Sequence, residues 1–323
     1  MRRYRYIGLM MVLLLGATSS SWGRNWFLSS LPSSGPYGLG PYPNLCLING
    51  VQPVVSAGYP SASPTYQETA FGWVTYPGVS GYMDGDGGTK LVSNFRPVRQ
   101  GLDGRFYSTV PFGSSGNFES TTLENGVWLS TGVSVPNFWN NAIGISTADA
   151  MGRIYVAEGP YLGTSGGGLT TLSIYATDLA VSRYGDIAVS GYSWDTDSLA
   201  VTWYDYGVGA WRNRSLAVGP DQFRRVGIEF DQKGNLGVAY VDTSFALHFA
   251  YLDMAQDFWT DEIVTGSVGS SPFIGTALDF NSQDLPVIAA GNVLAYDPIE
   301  VPEPAGLLIF SAVSWIFVNR RTA

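Results

Sequence analysis

The chain has 323 residues, of which 45% are hydrophobic, 14% aromatic and 13% charged. Disordered chains are less apolar and more highly charged, so this composition excludes a disordered protein and favours a folded body rich in strands and glycine-containing turns. The net charge is −9, and five of the 17 basic residues lie near the two termini. Because so acidic a body repels phosphate, nucleic acid is not an expected partner.

The N-terminal residues 1–23 have the three parts of a secretory signal peptide. A basic start at Met1–Arg5 precedes an apolar run, Ile7–Ala17, and a small-residue exit that ends at Gly23. The eleven-residue apolar run is too short to span a bilayer, which distinguishes it from a membrane anchor. We therefore expect a signal helix and export, followed by a Ser/Gly/Pro-rich linker or wrapping segment over residues 24–43.

The body, residues 44–300, contains an internal repeat. Similar segments begin at Gly185, Gly234 and Gln283, at intervals of 49 residues, and each follows an alternating apolar stretch. A tryptophan also recurs six residues after an aspartate, at Trp211 and Trp259. Four short strands in such a period are typical of a β-propeller blade, and a glycine turn before the inner strand loosely resembles bacterial propeller repeats.

The repeat predicts an all-β body of about six four-stranded blades, with a β-sandwich or stacked open sheets as the alternative. Weaker copies begin at Gly50, Gly104 and Gly152, but only 33 residues separate Gly152 from Gly185, which indicates a truncated blade or a shifted phase. The last unit stops at Asp297 without a fourth strand. Because an unpaired sheet edge is unfavourable, we expect Asn44–Ile48 to close the ring.

The sequence predicts no catalytic residues, no metal site and no cofactor. His248 is the only histidine and Cys46 the only cysteine, so the usual zinc ligand sets are missing. The acidic loop Met83–Gly88 has Phe95 where a calcium-binding EF-hand needs a carboxylate, and Gly163–Gly168 lacks the lysine of a phosphate loop.

Two further patterns in the body have both a structural and a functional interpretation. Ser193–Asp197 is similar to the Asp-box turn of sialidase-like propellers, which is itself a structural turn, although Asp197 replaces its glycine. Trp211 and Trp259 are candidates for stacking against a carbohydrate ligand. Repeated tryptophans within blades are more often part of the core, and that alternative stays open.

The C-terminal residues 301–323 begin with Pro302, Glu303 and Pro304, continue with the apolar helix 305–318 and end with Arg320 and Arg321. This order resembles the PEP-CTERM sorting signal, which an exosortase recognises. The resemblance implies that the helix enters the membrane before processing, with the arginines on the cytoplasmic side.

These features predict an exported protein of the cell envelope, cell surface or extracellular matrix. Its expected partners are the secretion machinery, an exosortase-type enzyme and matrix polysaccharide, and its expected role is binding or structural. The alternative is a secreted polysaccharide hydrolase or lyase on a propeller scaffold. Carboxylates that converge with an arginine in one central pocket would favour the enzyme, whereas scattered acidic turns would favour the scaffold.

We expect the mature protein to lack residues after about Pro304, because the resemblance places processing next to the Pro302–Pro304 motif. Intact-mass measurement of the protein isolated from the native envelope tests this expectation. A mass that includes Trp315 and Arg321 would contradict processing at the motif.

Overall fold

The computed structural model describes residues 26–31, 43–48, 52–56, 65–69, 72–76, 81–83, 89–91, 99–112, 117–124, 127–136, 144–218, 224–269 and 274–296. Strands and turns make up all of this part of the chain. The two expected terminal helices, in residues 1–23 and 301–323, lie outside the described residues and stay predictions. No helix in the described ranges is long and apolar enough to cross a membrane.

Alternating apolar and polar or small residues, interrupted by glycine turns, form the strands of the body. In chain order they are β1 (Phe27–Ser30), β2 (Asn44–Ile48), β3 (Gln52–Ser56), β4 (Thr65–Thr69), β5 (Gly72–Tyr76), β6 (Gly81–Met83), β7 (Thr89–Leu91), β8 (Arg99–Gln100), β9 (Phe106–Phe112), β10 (Asn117–Glu124), β11 (Val127–Pro136), β12 (Ile145–Ala148), β13 (Ile154–Thr164), β14 (Leu169–Val181), β15 (Ile187–Ser193), β16 (Ser198–Asp205), β17 (Ala210–Val218), β18 (Gly227–Phe230), β19 (Leu236–Val241), β20 (Leu247–Asp253), β21 (Phe258–Thr265), β22 (Thr276–Phe280), β23 (Pro286–Ala290) and β24 (Val293–Tyr296).

Four of the sheets are four-stranded and antiparallel, and we call each of them a blade. Their strand orders are β2-β3-β4-β5, β8-β9-β10-β11, β18-β19-β20-β21 and β22-β23-β24-β1. The first strands of successive sheets contact one another, β14 against β18, β18 against β22 and β22 against β2. The first strands therefore lie around a common axis, as the propeller prediction requires.

The expectation of six four-stranded blades is wrong, since the described residues form four of them, together with a six-stranded sheet and the β6–β7 hairpin. The six-stranded sheet, β12 to β17, arises because β14 serves two repeat units. The first half of β14 pairs with β13, and its second half pairs with β15. The register of the β14–β15 pairing shifts between Ala176 and Asp178. The chain thus passes from one unit to the next without a fourth strand, which explains the short interval between Gly152 and Gly185.

The repeated glycines occupy matching turns between the first and second strands of their units. Gly104, Gly152, Gly185 and Gly234 all have a φ between 75° and 90°, a left-handed conformation that favours glycine. Each donates its N–H to the carbonyl of the residue three positions earlier. In the last blade this position is Asp284, with a φ of 62°, so the predicted match at Gln283 is one residue too early.

The prediction that Asn44–Ile48 closes the ring is wrong in its choice of strand. This segment is β2 and pairs with β3 in a blade of its own, although Leu47 packs against the last blade. The closing strand is β1, which pairs with β24 from Phe27 opposite Tyr296 to Ser30 opposite Val293. Both β1 and β2 are short N-terminal strands that could have paired with β24. Because β2 is the first strand of its own sheet, β1 is the one that closes the ring.

We expect Trp26→Ala to destabilise the whole body, because Trp26 anchors the closing strand to the core. Its ring packs edge-to-face on Phe249, with the centroids 5.6 Å apart. For a half-buried tryptophan the expected loss is about 2 kcal/mol of unfolding free energy, or a fall in Tm of roughly 4–8 °C. Thermal denaturation measures it, with Leu28→Ala on the exposed face of β1 as the control. Equal melting temperatures for the two variants would show that β1 is a loose attachment.

Candidate binding site

A buried ion cluster joins three of the first strands at the axis. Asp178 in β14 is fully buried and is bound by two arginines. Arg99 of β8 donates from Nε and Nη2 to its two carboxylate oxygens at 2.9 and 2.6 Å. Arg225, which precedes β18, donates from Nε and Nη2 at 2.9 and 3.1 Å. Two double hydrogen bonds of this kind satisfy the carboxylate completely and give it a fixed orientation.

Arg99 also extends beyond Asp178 to the next blade. Its Nη1 binds the Glu229 carboxylate, and its Nη2 donates to the Ile228 carbonyl, both in β18. On the other side, Arg225 donates from Nη1 to the carbonyl oxygen of Pro43 at 2.6 Å. The cluster therefore links segments that are far apart in the sequence.

The repeat places three of the charged residues at one position of their units. Arg99, Glu229 and Asp279 each stand two residues before the turn that follows the first strand, in β8, β18 and β22. Because side chains alternate along a strand, equivalent positions point the same way in each unit. The same position in neighbouring blades thus brings Glu229 and Asp279 towards one space.

The charges of the cluster perturb the ionisation of its carboxyl groups. Burial alone would raise the pKa of Asp178, but the charges of Arg225 and Arg99 outweigh it and lower that pKa. Burial raises the pKa of Glu229, although the charge of Arg99 opposes the shift. Burial and the charge of Glu229 together raise the pKa of Asp279 to about 7, against the hydrogen bond from the Leu47 N–H at 3.2 Å.

A cavity of about 260 Å³ is bordered by Arg99, Arg225, Glu229 and Asp279. Its polar lining consists of two arginines, two carboxylates and two amides, and most of its other walls are apolar side chains. The lining residues are Leu45, Arg99, Gln100, Gly101, Leu102, Phe106, Arg225, Glu229, Phe230, Gln232, Leu278, Asp279 and Phe280. Apolar walls with a few convergent polar groups are the usual composition of a small-molecule site.

Solved structures with a similar fold were found at low sequence identity. SapL1 lectin in complex with alpha methyl fucoside is 12% identical with a TM-score of 0.51, and the alignment covers 80% of this chain and 90% of the lectin. The extracellular domain of a hybrid two component system from B. thetaiotaomicron is 10% identical with a TM-score of 0.50, covering 85% of this chain and 41% of that chain. A gluconolactonase from Xanthomonas campestris is 14% identical with a TM-score of 0.47, covering 84% and 95%.

The fold is a β-propeller. No protein-family model and no curated protein matches the chain. A fold by itself does not decide between catalysis and binding.

The two candidate tryptophans lie in the last strands of their units, away from the cavity lining. They occupy matching positions, as predicted, since Trp211 pairs with Tyr204 and Trp259 pairs with Leu252. Both are half-buried. Trp211 packs on Tyr204 with centroids 5.6 Å apart, and Trp259 packs on Trp203 at the same distance. These contacts give both rings a packing role, and stacking on a ligand stays a prediction.

The remaining sequence candidates that the structure describes lie outside the cavity lining. His248 is stacked on Tyr240, and its ring nitrogens lie 3.3 Å from the carboxylates of Asp261 and Asp242, which raise its pKa. Asp197 stands where the Asp-box turn usually has a glycine. Its φ of 48° is left-handed, a conformation that favours glycine. The sorting residues Pro302, Glu303, Pro304, Arg320 and Arg321 are outside the described residues. Among the residues that the structure does describe, no group of three or more His, Cys, Asp or Glu could hold a metal.

The residues of the ion cluster and the carboxylates of the cavity were not predicted from the sequence. A signal for two of them was present, because Glu229 and Asp279 occupy the same place in the aligned segments before Gly234 and Gln283. Arg99 lies in a two-residue strand without any alternation, and Asp178 lies in the strand that two units share. No pattern in the sequence brings these four residues together.

We expect Asp178→Asn to lower the free energy of unfolding by about 3–5 kcal/mol, because Arg225 would stay buried without its counter-charge and Arg99 would keep only Glu229. Urea denaturation measures the change. Asp257→Asn is the matched control, since Asp257 pairs with Arg212 at the surface and its side chain is 61% exposed. The control should lose less than about 1 kcal/mol. A loss equally small for Asp178→Asn would contradict a structural role of the cluster.

Proposed function

We propose that the protein is an exported propeller of the cell surface or matrix that binds a neutral carbohydrate in the cavity between Glu229 and Asp279. The PEP-CTERM-type tail, with Pro302, Glu303 and Pro304, would deliver it through an exosortase-type route. One observation carries the binding proposal. Glu229 and Asp279 stand at the same position of neighbouring blades, and both carboxyl groups line one cavity with mostly apolar walls.

The charge of the cavity supports a neutral ligand. The charges of Arg99 and Arg225 are balanced by those of Asp178 and Glu229. Asp279, with a pKa of about 7, is close to half protonated at neutral pH. Its carboxyl group can therefore donate or accept a hydrogen bond, and the amide of Gln232 adds a donor and an acceptor. Sugar hydroxyls offer both functions, whereas a phosphate or an ammonium ligand would meet no net opposite charge.

A catalytic role on polysaccharide is the second candidate, and the same cavity favours it. Carboxylates that converge with an arginine in one pocket are the arrangement expected above for the enzyme. Two carboxyl groups in different environments, one of them with a pKa near 7, are a common pairing for acid–base chemistry on sugars. Asp279 would then be the general acid, and Glu229, which is ion-paired with Arg99, the base.

Binding of the purified full chain to an array of neutral oligosaccharides tests the proposal. We expect Glu229→Gln to weaken binding by about tenfold, the effect of losing one charged hydrogen-bond partner. Asp279→Asn should remove the pH dependence of binding between about pH 6 and 8, because Asn cannot ionise at the pKa of about 7. Asp257→Asn, in the exposed turn between β20 and β21 and outside the cavity lining, serves as the control. Unchanged binding in both cavity variants would contradict the proposal.

The same samples separate binding from catalysis. Each oligosaccharide that binds is incubated with the protein, and new reducing ends are measured. Release that is lost in Asp279→Asn while binding remains would identify a hydrolase or lyase. Binding without release would support the non-enzymatic role.

A further inference from the structure

A row of exposed tyrosines lies on the face of the propeller where the cavity opens. The turns between first and second strands all lie at this face, and Leu102 and Gln232 in two of them line the cavity. Tyr184 lies in another of these turns and is 61% exposed. Tyr206, in the turn between β16 and β17 at the same end of the sheet, is 59% exposed. Exposed tyrosine rings combine an apolar face with a hydroxyl group that can form hydrogen bonds with a ligand.

Contacts between neighbouring turns connect this row to the cavity. Gln232 and Gly234 belong to one turn, and the ring of Tyr184 lies so close to Gly234 that a Cβ added there would be 2.8 Å from Tyr184 Cδ2. The next contact is made by Tyr206, whose hydroxyl donates to the carbonyl of Gly185 at 3.1 Å. The order along the surface is therefore the cavity, Gln232, Tyr184 and Tyr206.

Both tyrosine rings are held in place by the protein. The Arg183 guanidinium lies 4.8 Å from the centroid of the Tyr184 ring and donates to the Tyr184 hydroxyl at 2.5 Å. Tyr206 packs edge-to-face on Tyr204, which in turn packs on Trp211, with centroid distances of 4.7 and 5.6 Å. Trp211 thus supports an exposed ring without being exposed at the face itself. Rings that are already fixed lose little conformational freedom when a ligand binds.

We propose that Tyr184 and Tyr206 extend the cavity into a binding track for an oligosaccharide chain, so that the ligand is a polymer with several units on this face. This inference rests on the proposed binding of carbohydrate in the cavity. A cavity of about 260 Å³ is smaller than the usual range of about 300–1,000 Å³ for ligand pockets, so a chain must continue outside it. The two tyrosine rings offer apolar faces, and the side chains of Arg183 and Asp186 in the turn of Tyr184 add hydrogen-bonding groups. This combination matches a sugar chain better than an apolar protein surface.

Chain-length dependence of binding tests the track. The purified full chain is applied to β-glucan, α-mannan and β-galactan series from monosaccharide to hexasaccharide. Affinity should rise with chain length in at least one series. Tyr184→Ala and Tyr206→Ala should each lower the affinity for the long oligosaccharides by about tenfold, the effect of losing one aromatic contact. Both variants should leave monosaccharide binding unchanged. Trp194→Ala is the matched control, because Trp194 is 46% exposed at the opposite end of the β15–β16 hairpin.

The outcomes separate the track from the cavity. Equal affinity for short and long chains, or tyrosine variants that bind long chains like the unchanged protein, would overturn the track while cavity binding stands. Loss of long-chain binding in the tyrosine variants together with full binding in Glu229→Gln would overturn the cavity as the primary site. A Trp194→Ala variant that loses long-chain binding as strongly as the tyrosine variants would also overturn the track, because the effect would not be confined to the cavity face.

Discussion

The two-sided binding of Asp178 is the interaction on which the arrangement of the axis depends. A carboxylate and two guanidiniums without solvent are unfavourable unless their hydrogen bonds are satisfied in full. The hydrogen bonds of Arg99 and Arg225 to Asp178 can all form only in one arrangement of β8, β14 and β18 relative to one another. The contacts among the apolar strands would tolerate small shifts of one sheet against another, because packing is not directional. The ion cluster is directional, and it therefore fixes how the sheets meet.

The same cluster determines the chemistry of the cavity. Arg99 is held by Asp178, and its remaining donor then binds the carboxylate of Glu229. Burial raises the pKa of Glu229, and the charge of Arg99 opposes that rise. Burial, followed by the charge of Glu229, raises the pKa of Asp279 to about 7, while the charge of Arg99 opposes the shift. A proton-exchanging group at neutral pH thus depends on burial first and on the carboxylate of the neighbouring blade second. A variant that breaks the pair at Asp178 would change the cavity as well as the stability.

The sequence predicted the turns well because a left-handed φ leaves few choices of residue, and glycine occupies four of the five matching positions, with Asp284 the exception. It did not predict the fusion of two units in β14, because the alternation of apolar residues changes phase between Ala176 and Leu179, as it would between two separate strands. It also could not choose the closing strand. Phe27–Ser30 and Asn44–Ile48 are both short and strand-like, and only the hydrogen bonds to β24 distinguish them. Long-range pairing of this kind leaves no local signal in the sequence.

The candidate site was hidden for a related reason. A repeat is recognised by the positions that stay alike from unit to unit, such as the turn at Gly185 and Gly234. The position two residues before that turn differs in every unit, as Arg99, Thr147, Ala180, Glu229 and Asp279 in chain order. These side chains stand at the first strands, where the blades meet at the axis, and they are free to vary because the turns and the apolar core already hold the fold. In a repeat protein the site is therefore best sought where equivalent positions differ most in charge, and in this chain that criterion leads directly to the cavity.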